Sequence, residues 1–446
     1  MNRFRMGAGP VNRRELLVGG MTLTALALGG CAASTGSKKS DAPAAVRTGG
    51  FSSGAPARSS RGSASAVPSA TASRGADAGP LPFALTGLDA SEPLEAGGTT
   101  PAAAVTPLWT FGGDYSRIGS FPLDEKTVFG SGSSTPDSLM SYSAALIRED
   151  DSFTRLTPEP PATVDPSVYV EPQDGTVTAD RIVWRAATIS ADSAFSGTDN
   201  WEIWSWSRSS SGDAVRIGSA TDLNGTAETP AGSEVLPTSN DDAVYFASAL
   251  KDGGSGSGWG RHVLQLDPMG KTEPEDLGVG DFPAAISGGV LHAAPDGEGL
   301  LTSLKRVSTA SGRGARIATI SSPDGSWQIG GVWAAGAHRA LAVCSSSDGT
   351  GSYLGLWEDG KPDSAVWVHT PSSLVLASAS GSRLVWGGGS DTTHSGMYVI
   401  AWDGTGLASL GDAAGYARPA LSSRGDVVLV PSTDGQEPVS WTVGRL

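Results

Sequence analysis

The chain contains little cysteine, little charge and few aromatic residues for its length. Only two of its 446 residues are cysteine, 17% are Asp, Glu, Lys or Arg, and 7% are aromatic. Two cysteines exclude a small scaffold held together by disulfides. Basic residues are also scarce, since 31 Lys and Arg stand against 46 Asp and Glu for a net charge of −15. This balance argues against a nucleic-acid partner, because phosphate binding needs clustered Lys and Arg.

Glycine, proline and tryptophan are abundant instead. The chain has 61 Gly and 28 Pro, and its 13 Trp outnumber both the 10 Phe and the 7 Tyr. Together with many Ser, Thr and Val residues, this composition is typical of an all-β protein with many turns plus a low-complexity segment.

Residues 1–30 predict a signal peptide. Four arginines precede an apolar run of about fifteen residues, which is shorter than the ~20 needed to span a bilayer. The Asn-Arg-Arg-Glu-Leu-Leu sequence around Arg13 and Arg14 resembles the twin-arginine export signal. General secretion is the alternative route.

Leu28-Gly29-Gly30-Cys31 resembles a bacterial lipobox. The resemblance implies cleavage after Gly30 and acylation of Cys31. More than one acyl chain anchors a protein stably to a membrane. We therefore predict a bacterial lipoprotein on the extracytoplasmic face of the cell membrane, attached through its lipid alone. An ordinary cleaved signal followed by an incidental cysteine is the alternative.

Residues 31–103 combine the anchor cysteine with Ser, Ala, Gly, Pro and Thr and a few scattered charges. Such a segment cannot bury enough apolar surface to offset its conformational entropy. It is predicted to be a disordered tether. The remaining chain, residues 104–446, is predicted to be one folded and strongly acidic domain.

A repeated pattern predicts the fold of residues 104–446. A short strand, a tight turn and a buried β-branched strand recur seven times, and each copy is followed by a third and a fourth strand. The equivalent positions are 43–61 residues apart, namely Val128, Val183, Val244, Val290, Leu341, Val385 and Val428. Four antiparallel strands in seven copies predict a seven-bladed β-propeller.

The two ends of the repeat predict how the ring closes. The seventh copy lacks a fourth strand, and residues 107–111 supply an unmatched strand before the first copy. An N-terminal strand would therefore complete the last blade and remove an exposed sheet edge. A two-sheet sandwich is the alternative fold, but it does not explain the unmatched strand at each end.

Two segments resemble known propeller repeats. Residues 419–430, with a Ser-Ser-Arg-Gly-Asp turn before an apolar strand, resemble the repeat of TolB-type (WD40-like) propellers. The sixth copy, with Gly387-Gly388-Gly389 and Trp402, is similar to a kelch repeat. The resemblance implies a protein-interaction platform, although a propeller fold by itself does not establish a function.

Catalytic and metal-binding motifs are not found in the sequence. No two of the five His lie at metal-ligand spacing, and no nucleophile motif with a partnered His stands out. No catalytic residue, metal ligand or cofactor is predicted. A metal or small ligand held in the central channel by residues from several blades remains an alternative.

The extra loop length of the domain is concentrated on one face of the predicted propeller. There, the connections between second and third strands and between blades are long, and long loops on a rigid scaffold are where binding concentrates. The candidate binding residues in these loops are Phe195, Asp199, Asp222, Asn224, Trp259 and Arg261. Solvated insertions without a function are the simpler interpretation.

The sequence predicts a monomeric binding or scaffold protein that recognises another envelope or surface protein, or a glycan. The alternative function is a propeller hydrolase acting on cell-wall glycans or esters.

Overall fold

The computed structural model describes residues 81–112, 117–133, 142–157, 168–178, 180–190, 198–209, 212–225, 229–230, 236–251, 259–296, 300–322, 325–345, 351–372, 375–387, 396–412, 418–434 and 437–446. These residues form seven four-stranded antiparallel sheets, which are the blades of a propeller. Two short strands near the N-terminus, β1 (Ala84–Thr86) and β2 (Leu94–Glu95), add to the outer edges of two of them.

Each of the first three blades is a meander of four consecutive strands. Blade 1 contains β4 (Arg117–Asp124), β5 (Thr127–Gly132), β6 (Ser143–Arg148) and β7 (Phe153–Arg155). Blade 2 contains β8 (Val168–Val177), β9 (Arg181–Ser190), β10 (Thr198–Ser207) and β11 (Val215–Ser219), followed by a short helix α1 (Ala220–Asn224) and the short strand β12 (Thr229–Pro230), which pairs with β10. Blade 3 contains β13 (Thr238–Ser239), β14 (Val244–Lys251), β15 (Trp259–Leu266) and β16 (Glu275–Val279).

The other four blades repeat this order. Blade 4 contains β17 (Asp281–Ile286), β18 (Gly289–Asp296), β19 (Leu300–Ser308) and β20 (Gly314–Ser321). Blade 5 contains β21 (Trp327–Ala335), β22 (His338–Ser345), β23 (Ser352–Glu358) and β24 (Lys361–Thr370). Blade 6 contains β25 (Leu376–Ala379), β26 (Arg383–Gly387), β27 (Gly396–Ala401) and β28 (Ala408–Asp412). Blade 7 contains β29 (Ala420–Leu421), β30 (Val427–Asp434), β31 (Glu437–Arg445) and, as its fourth strand, β3 (Thr106–Gly112).

The structure confirms the predicted seven-bladed fold and the equivalence of its repeats. All seven positions that define the repeat lie in the second strand of their blade, and all seven side chains are fully buried. Ring closure by the N-terminal strand is also confirmed, because β3 pairs antiparallel with β31. The rings of Phe111 and Trp441 stack across this pair with centroids 5.8 Å apart.

Apolar side chains from neighbouring blades fill most of the junctions between them. Among the described residues, the junction of blades 4 and 5 (the 4–5 junction) contains a cluster of 17 buried apolar residues, two of which, Phe83 and Leu88, come from the N-terminal segment. The cluster at the junction of blades 3 and 4 (the 3–4 junction) has only four, Ala243, Tyr245, Val290 and Val307. The propeller is therefore held together unevenly around the ring.

Residues 81–105, which we call the strap, run along the outer edges of blades 4, 5 and 6 before β3 joins blade 7. Strand β1 pairs antiparallel with β20, and β2 pairs in parallel with β24. Further along, Ala102 bridges to Ser409 of β28. The boundary at residue 103 that composition predicted between tether and domain is therefore wrong, because residues 81–103 belong to the folded body.

A few apolar residues explain why this Ala- and Gly-rich segment folds. Phe83 is buried, with its ring centroid 5.5–5.8 Å from those of Trp327, Tyr353 and Trp367. The Trp367 indole N–H donates to the carbonyl of Asp89 at 2.8 Å, and the N–H of Ala96 donates to the carbonyl of His369 at 2.9 Å. The existing propeller surface supplies the apolar partners and sheet edges that the strap sequence lacks.

Candidate binding face

One end of the propeller carries the connections between second and third strands and those between blades. We call this end the long-loop face, and the end with the other hairpins the opposite face. Because Ala84 of β1 pairs with Ser321 at the end of β20, the strap begins at the rim of the long-loop face.

The connections of the long-loop face are almost devoid of basic residues. Between the strand bounds given above, Arg418 is the single Lys or Arg of these connections, whereas those of the opposite face contain five. Thirteen acidic residues lie in the long-loop connections: Asp114, Asp137, Glu159, Asp165, Asp192, Asp222, Glu228, Glu234, Asp252, Glu298, Asp324, Asp348 and Asp391. The opposite face also has thirteen acidic residues, so the asymmetry lies in the missing cations. By sequence, the connections of the long-loop face therefore carry the larger net negative charge.

Helix α1 positions two of the predicted binding residues. Ser219 caps it by accepting the N–H of Asp222, and Gly225 ends it in a left-handed conformation with φ of 69°. The exposed Asp222 carboxylate lies 3.7 Å from the guanidinium of Arg216, which also pairs with Glu202 at 3.1 Å. Asp222 therefore shares its cation with a second carboxylate.

Asn224 and Arg261 are brought to the same part of blade 3. The Asn224 side-chain amide donates to the carbonyl of Ala249 at 3.3 Å, and Ala249 lies directly opposite Arg261 in the register of β14 and β15. Arg261 in turn forms an ion pair with Asp281 at the start of blade 4. The helix, blade 3 and blade 4 are thus connected through these side chains at the long-loop face.

The remaining predicted residues are described only in part or not at all. Asp199 lies in β10 opposite Thr229 of β12, and Trp259 begins β15 opposite Lys251. Phe195, together with Arg13, Arg14 and Cys31, lies outside the described residues. A role in binding for the six candidate residues stays a prediction.

The structure reveals polar contacts that the sequence analysis missed. His369 Nδ1 lies 2.8 Å from a carboxylate oxygen of Glu95 in the strap, and the ring of Tyr353 contacts His369 with centroids 4.9 Å apart. Burial raises the pKa of Tyr353, and the charge of Glu95 adds to this effect. Residues 95 and 369 are 274 positions apart, so no local pattern could have paired them.

A serine, a histidine and an aspartate also come together in blade 3. Ser248 lies opposite His262 in register, and His262 Nδ1 is 3.0 Å from both carboxylate oxygens of Asp276. However, Ser248 is fully buried and its hydroxyl donates to the carbonyl of Ala249 at 3.4 Å. Ser248, His262 and Asp276 therefore present no hydroxyl nucleophile to a substrate in this conformation.

Two kinds of feature are absent from the described residues. They contain no group of three or more His, Cys, Asp or Glu side chains placed to hold a metal ion. They also contain no helix that is long and apolar enough to cross a membrane. Cys344 is half-buried, with Sγ 3.8 Å from the carbonyl oxygen of Gln328.

Solved structures similar to this chain are β-propellers and enzymes of several kinds. TolB from Acinetobacter baumannii is 9% identical over 62% of this chain and 80% of its own, with a TM-score of 0.37. The β-propeller domain of the Trilobed protease from Pyrococcus furiosus is 8% identical over 75% of this chain and 94% of its own, with a TM-score of 0.44. The GH93 α-L-arabinofuranosidase of Fusarium graminearum is 9% identical over 75% of this chain and 98% of its own, with a TM-score of 0.38.

No protein-family model matches the chain, and neither does any curated protein sequence. At these identities the structural similarities concern the fold alone, which the strand pairing of this chain already establishes. TolB, a protease domain and an arabinofuranosidase stand side by side among them, so they do not indicate an activity.

Proposed function

We propose that this protein is a binding platform that recognises a basic partner through its long-loop face. The observation that carries the proposal is the scarcity of cations on that face: by sequence, its connections contain one basic residue against thirteen acidic ones, whereas those of the opposite face contain five against thirteen. Complementary charge steers association and suppresses wrong partners. The partner that fits is a cationic segment of another envelope or surface protein.

The exposed carboxylates at the described strand and helix ends support this proposal. Asp222 on helix α1, Asp296 at the end of β18 and Asp412 at the end of β28 are all exposed on the long-loop face. They come from blades 2, 4 and 6, so they are spread around the ring. A flexible cationic segment can contact several of them at once, whereas a compact monovalent ligand cannot.

The binding test compares two triple variants of equal charge. The first, Asp222→Lys, Asp296→Lys and Asp412→Lys, changes the long-loop face. The second, Asp213→Lys, Asp241→Lys and Asp242→Lys, changes exposed residues of the opposite face. Binding of an octa-lysine peptide is measured by isothermal titration at low and at physiological salt. We expect the first variant to weaken binding at least about tenfold, and the second to change it much less.

Equal losses in the two variants would show that only the net charge matters and would contradict a specific face. Binding that is unaffected by salt would contradict electrostatic recognition altogether. A pull-down from solubilised envelope with the same two variants then tests whether a protein partner follows the behaviour of the peptide.

We propose further that a lipid on Cys31 holds this platform at the extracytoplasmic surface. The lipobox-like sequence supports this location, and the described chain begins at the rim of the long-loop face. In a bacterial host, Cys31→Ala should shift the protein from the membrane to the soluble fraction. Unchanged membrane retention would contradict the lipid anchor and leave the binding proposal untouched.

A further inference from the structure

His292 occupies an unusual position at the 3–4 junction. It lies in β18, two residues after Val290, so strand alternation places both side chains on the face directed towards blade 3. Only 1% of His292 is exposed. Its Nδ1 lies 3.1 Å from the carbonyl of Ala293, which accepts the ring proton, and Nε2 has no hydrogen-bond partner among the described residues.

The surroundings of His292 do not favour a positive charge. Lys305 lies directly opposite it on β19, and Arg316 lies opposite Lys305 on β20. The carboxylate of Asp281 on β17 attracts a positive charge on His292, but it is already paired with Arg261 of β15. On blade 3, Tyr245 is the titratable residue of β14 whose side chain is described on this face, and Lys251 ends the same strand at the long-loop face. Glu275 of β16 lies opposite Gln265, further from the long-loop face.

The 3–4 junction also has little apolar packing that would hold the two blades together if His292 became charged. Its buried apolar cluster has four residues, and Gly280 alone connects the last strand of blade 3 to the first strand of blade 4. A Cβ at position 280 would overlap the Nδ1 atom of His292, so the ring is packed directly against the connecting backbone. The strap begins at blade 4, and within the described residues it makes no strand pairing with blade 3.

We propose that the 3–4 junction is an acid-sensitive seam of the propeller, which opens locally when His292 takes up a proton. Burial is the largest cause that lowers the pKa of His292 below 6.5, and Lys305 lowers it further. The closed junction therefore excludes the proton, whereas an open junction exposes the ring to water and accepts it. Acid shifts the equilibrium towards the open form, because that form binds more protons.

The location of this seam gives it a consequence for the long-loop face. Arg261 and Asp281 bridge the 3–4 junction at its long-loop end, so opening of the junction would separate this pair. A pH change would thus alter one part of the proposed binding face without unfolding the other blades.

Hydrogen exchange of the full chain at pH 7.5 and pH 5.5 tests the proposal, with labelling times scaled for the chemical exchange rate at each pH. We expect exchange of peptides covering β14 and β17–β18 to rise at pH 5.5 by up to about tenfold, the limit that a group of pKa near 6.5 in the open state sets one pH unit below that value. Peptides from β21–β24 in blade 5 should not change.

His292→Gln should remove the increase, because glutamine does not titrate. His338→Gln is the matched control, since His338 stacks on Trp402 in a different part of the ring and should leave the increase intact. An increase spread over all blades, or one that persists in His292→Gln, would overturn the proposal. If His292→Gln does not fold, the wild-type exchange map alone decides, because a uniform response or no response contradicts a local seam.

Discussion

The 4–5 and 3–4 junctions connect the same kind of sheet in opposite ways. At the 4–5 junction, large aromatic and aliphatic side chains meet, and the strap inserts Phe83 between Trp327, Tyr353 and Trp367. At the 3–4 junction, a small apolar cluster is accompanied by the buried His292 and by the Arg261–Asp281 pair. The comparison shows that a repeated fold does not need equal cohesion between its repeats.

The physical difference between the two junctions lies in what happens when they are perturbed. Apolar contacts lose free energy in proportion to the area exposed, and they are insensitive to pH. Buried polar and charged groups contribute less net stability, but they become costly when a partner is removed or a proton is added. The first junction should therefore respond to truncation, and the second to charge.

The largest expected effect is the removal of the strap. A chain that begins at residue 104 loses the buried residues Phe83, Leu88 and Ala96, together with the hydrogen bonds of β1 and β2. We expect its free energy of unfolding to fall by roughly 5 kcal/mol relative to a chain that begins at residue 81. Urea titrations of both chains measure the difference. Equal midpoints would contradict a structural role for the strap.

Phe83→Ala should reproduce a large part of that loss. Removing a buried phenylalanine from an aromatic cluster costs about 3 kcal/mol or more, because it combines lost burial with a cavity. Leu108→Ala, at an exposed position of β3, serves as the matched control and should cost less than about 0.5 kcal/mol. The urea midpoint of each variant gives the comparison, and a Phe83→Ala midpoint close to that of the control would refute the anchoring role.

At the 3–4 junction, Asp281→Asn should destabilise the protein by about 1–2 kcal/mol. The substitution removes the negative charge that pairs with Arg261, but the cost is reduced because a quarter of the Arg261 side chain remains exposed to solvent. Urea unfolding measures the loss, and added salt should diminish it. A loss as large as that of Phe83→Ala would contradict the proposed difference between the junctions.

The smallest effect expected is a pH dependence of stability that originates at His292. Its pKa in the folded state lies below the usual 6.5, so its contribution is fully present above pH 6.5 and is lost as pH falls towards the lowered value. The difference in unfolding free energy between wild type and His292→Gln should therefore shift in favour of the variant from pH 7.5 to pH 5.5. A constant difference would show that His292 does not titrate over this range.

Local patterns were sufficient to predict the repeats. Val128, Val290 and Val428 each lie in an apolar strand after a tight turn, and all three are buried in the second strand of a blade. The strap was not predictable in this way, because its short apolar stretch around Phe83 and Leu88 belongs to no repeat and is followed by an Ala-, Gly- and Thr-rich segment. Only their partners in blades 4 and 5, more than 200 residues away, give them an apolar environment.

The candidate binding face shows the same limit. Asp222, Asn224 and Arg261 stand out in the sequence as residues of long loops, and the acidic charge of those loops can be counted without a structure. Asp281 and Glu95 do not stand out, because their partners come from another blade and from the far end of the chain. Pairs of this kind depend on which strands become neighbours, and a single sequence carries no record of that.

The sequence by itself determined the all-β class, the sevenfold repeat and the strand that closes the ring. These features follow from alternation and turn residues within about 60 positions, which is the range over which local sequence specifies a blade. The tertiary structure decided where the domain begins, how strongly each pair of blades is joined and which titratable group is buried. Those properties arise where one blade meets another, because burial and charge pairing are set by neighbours in space rather than along the chain.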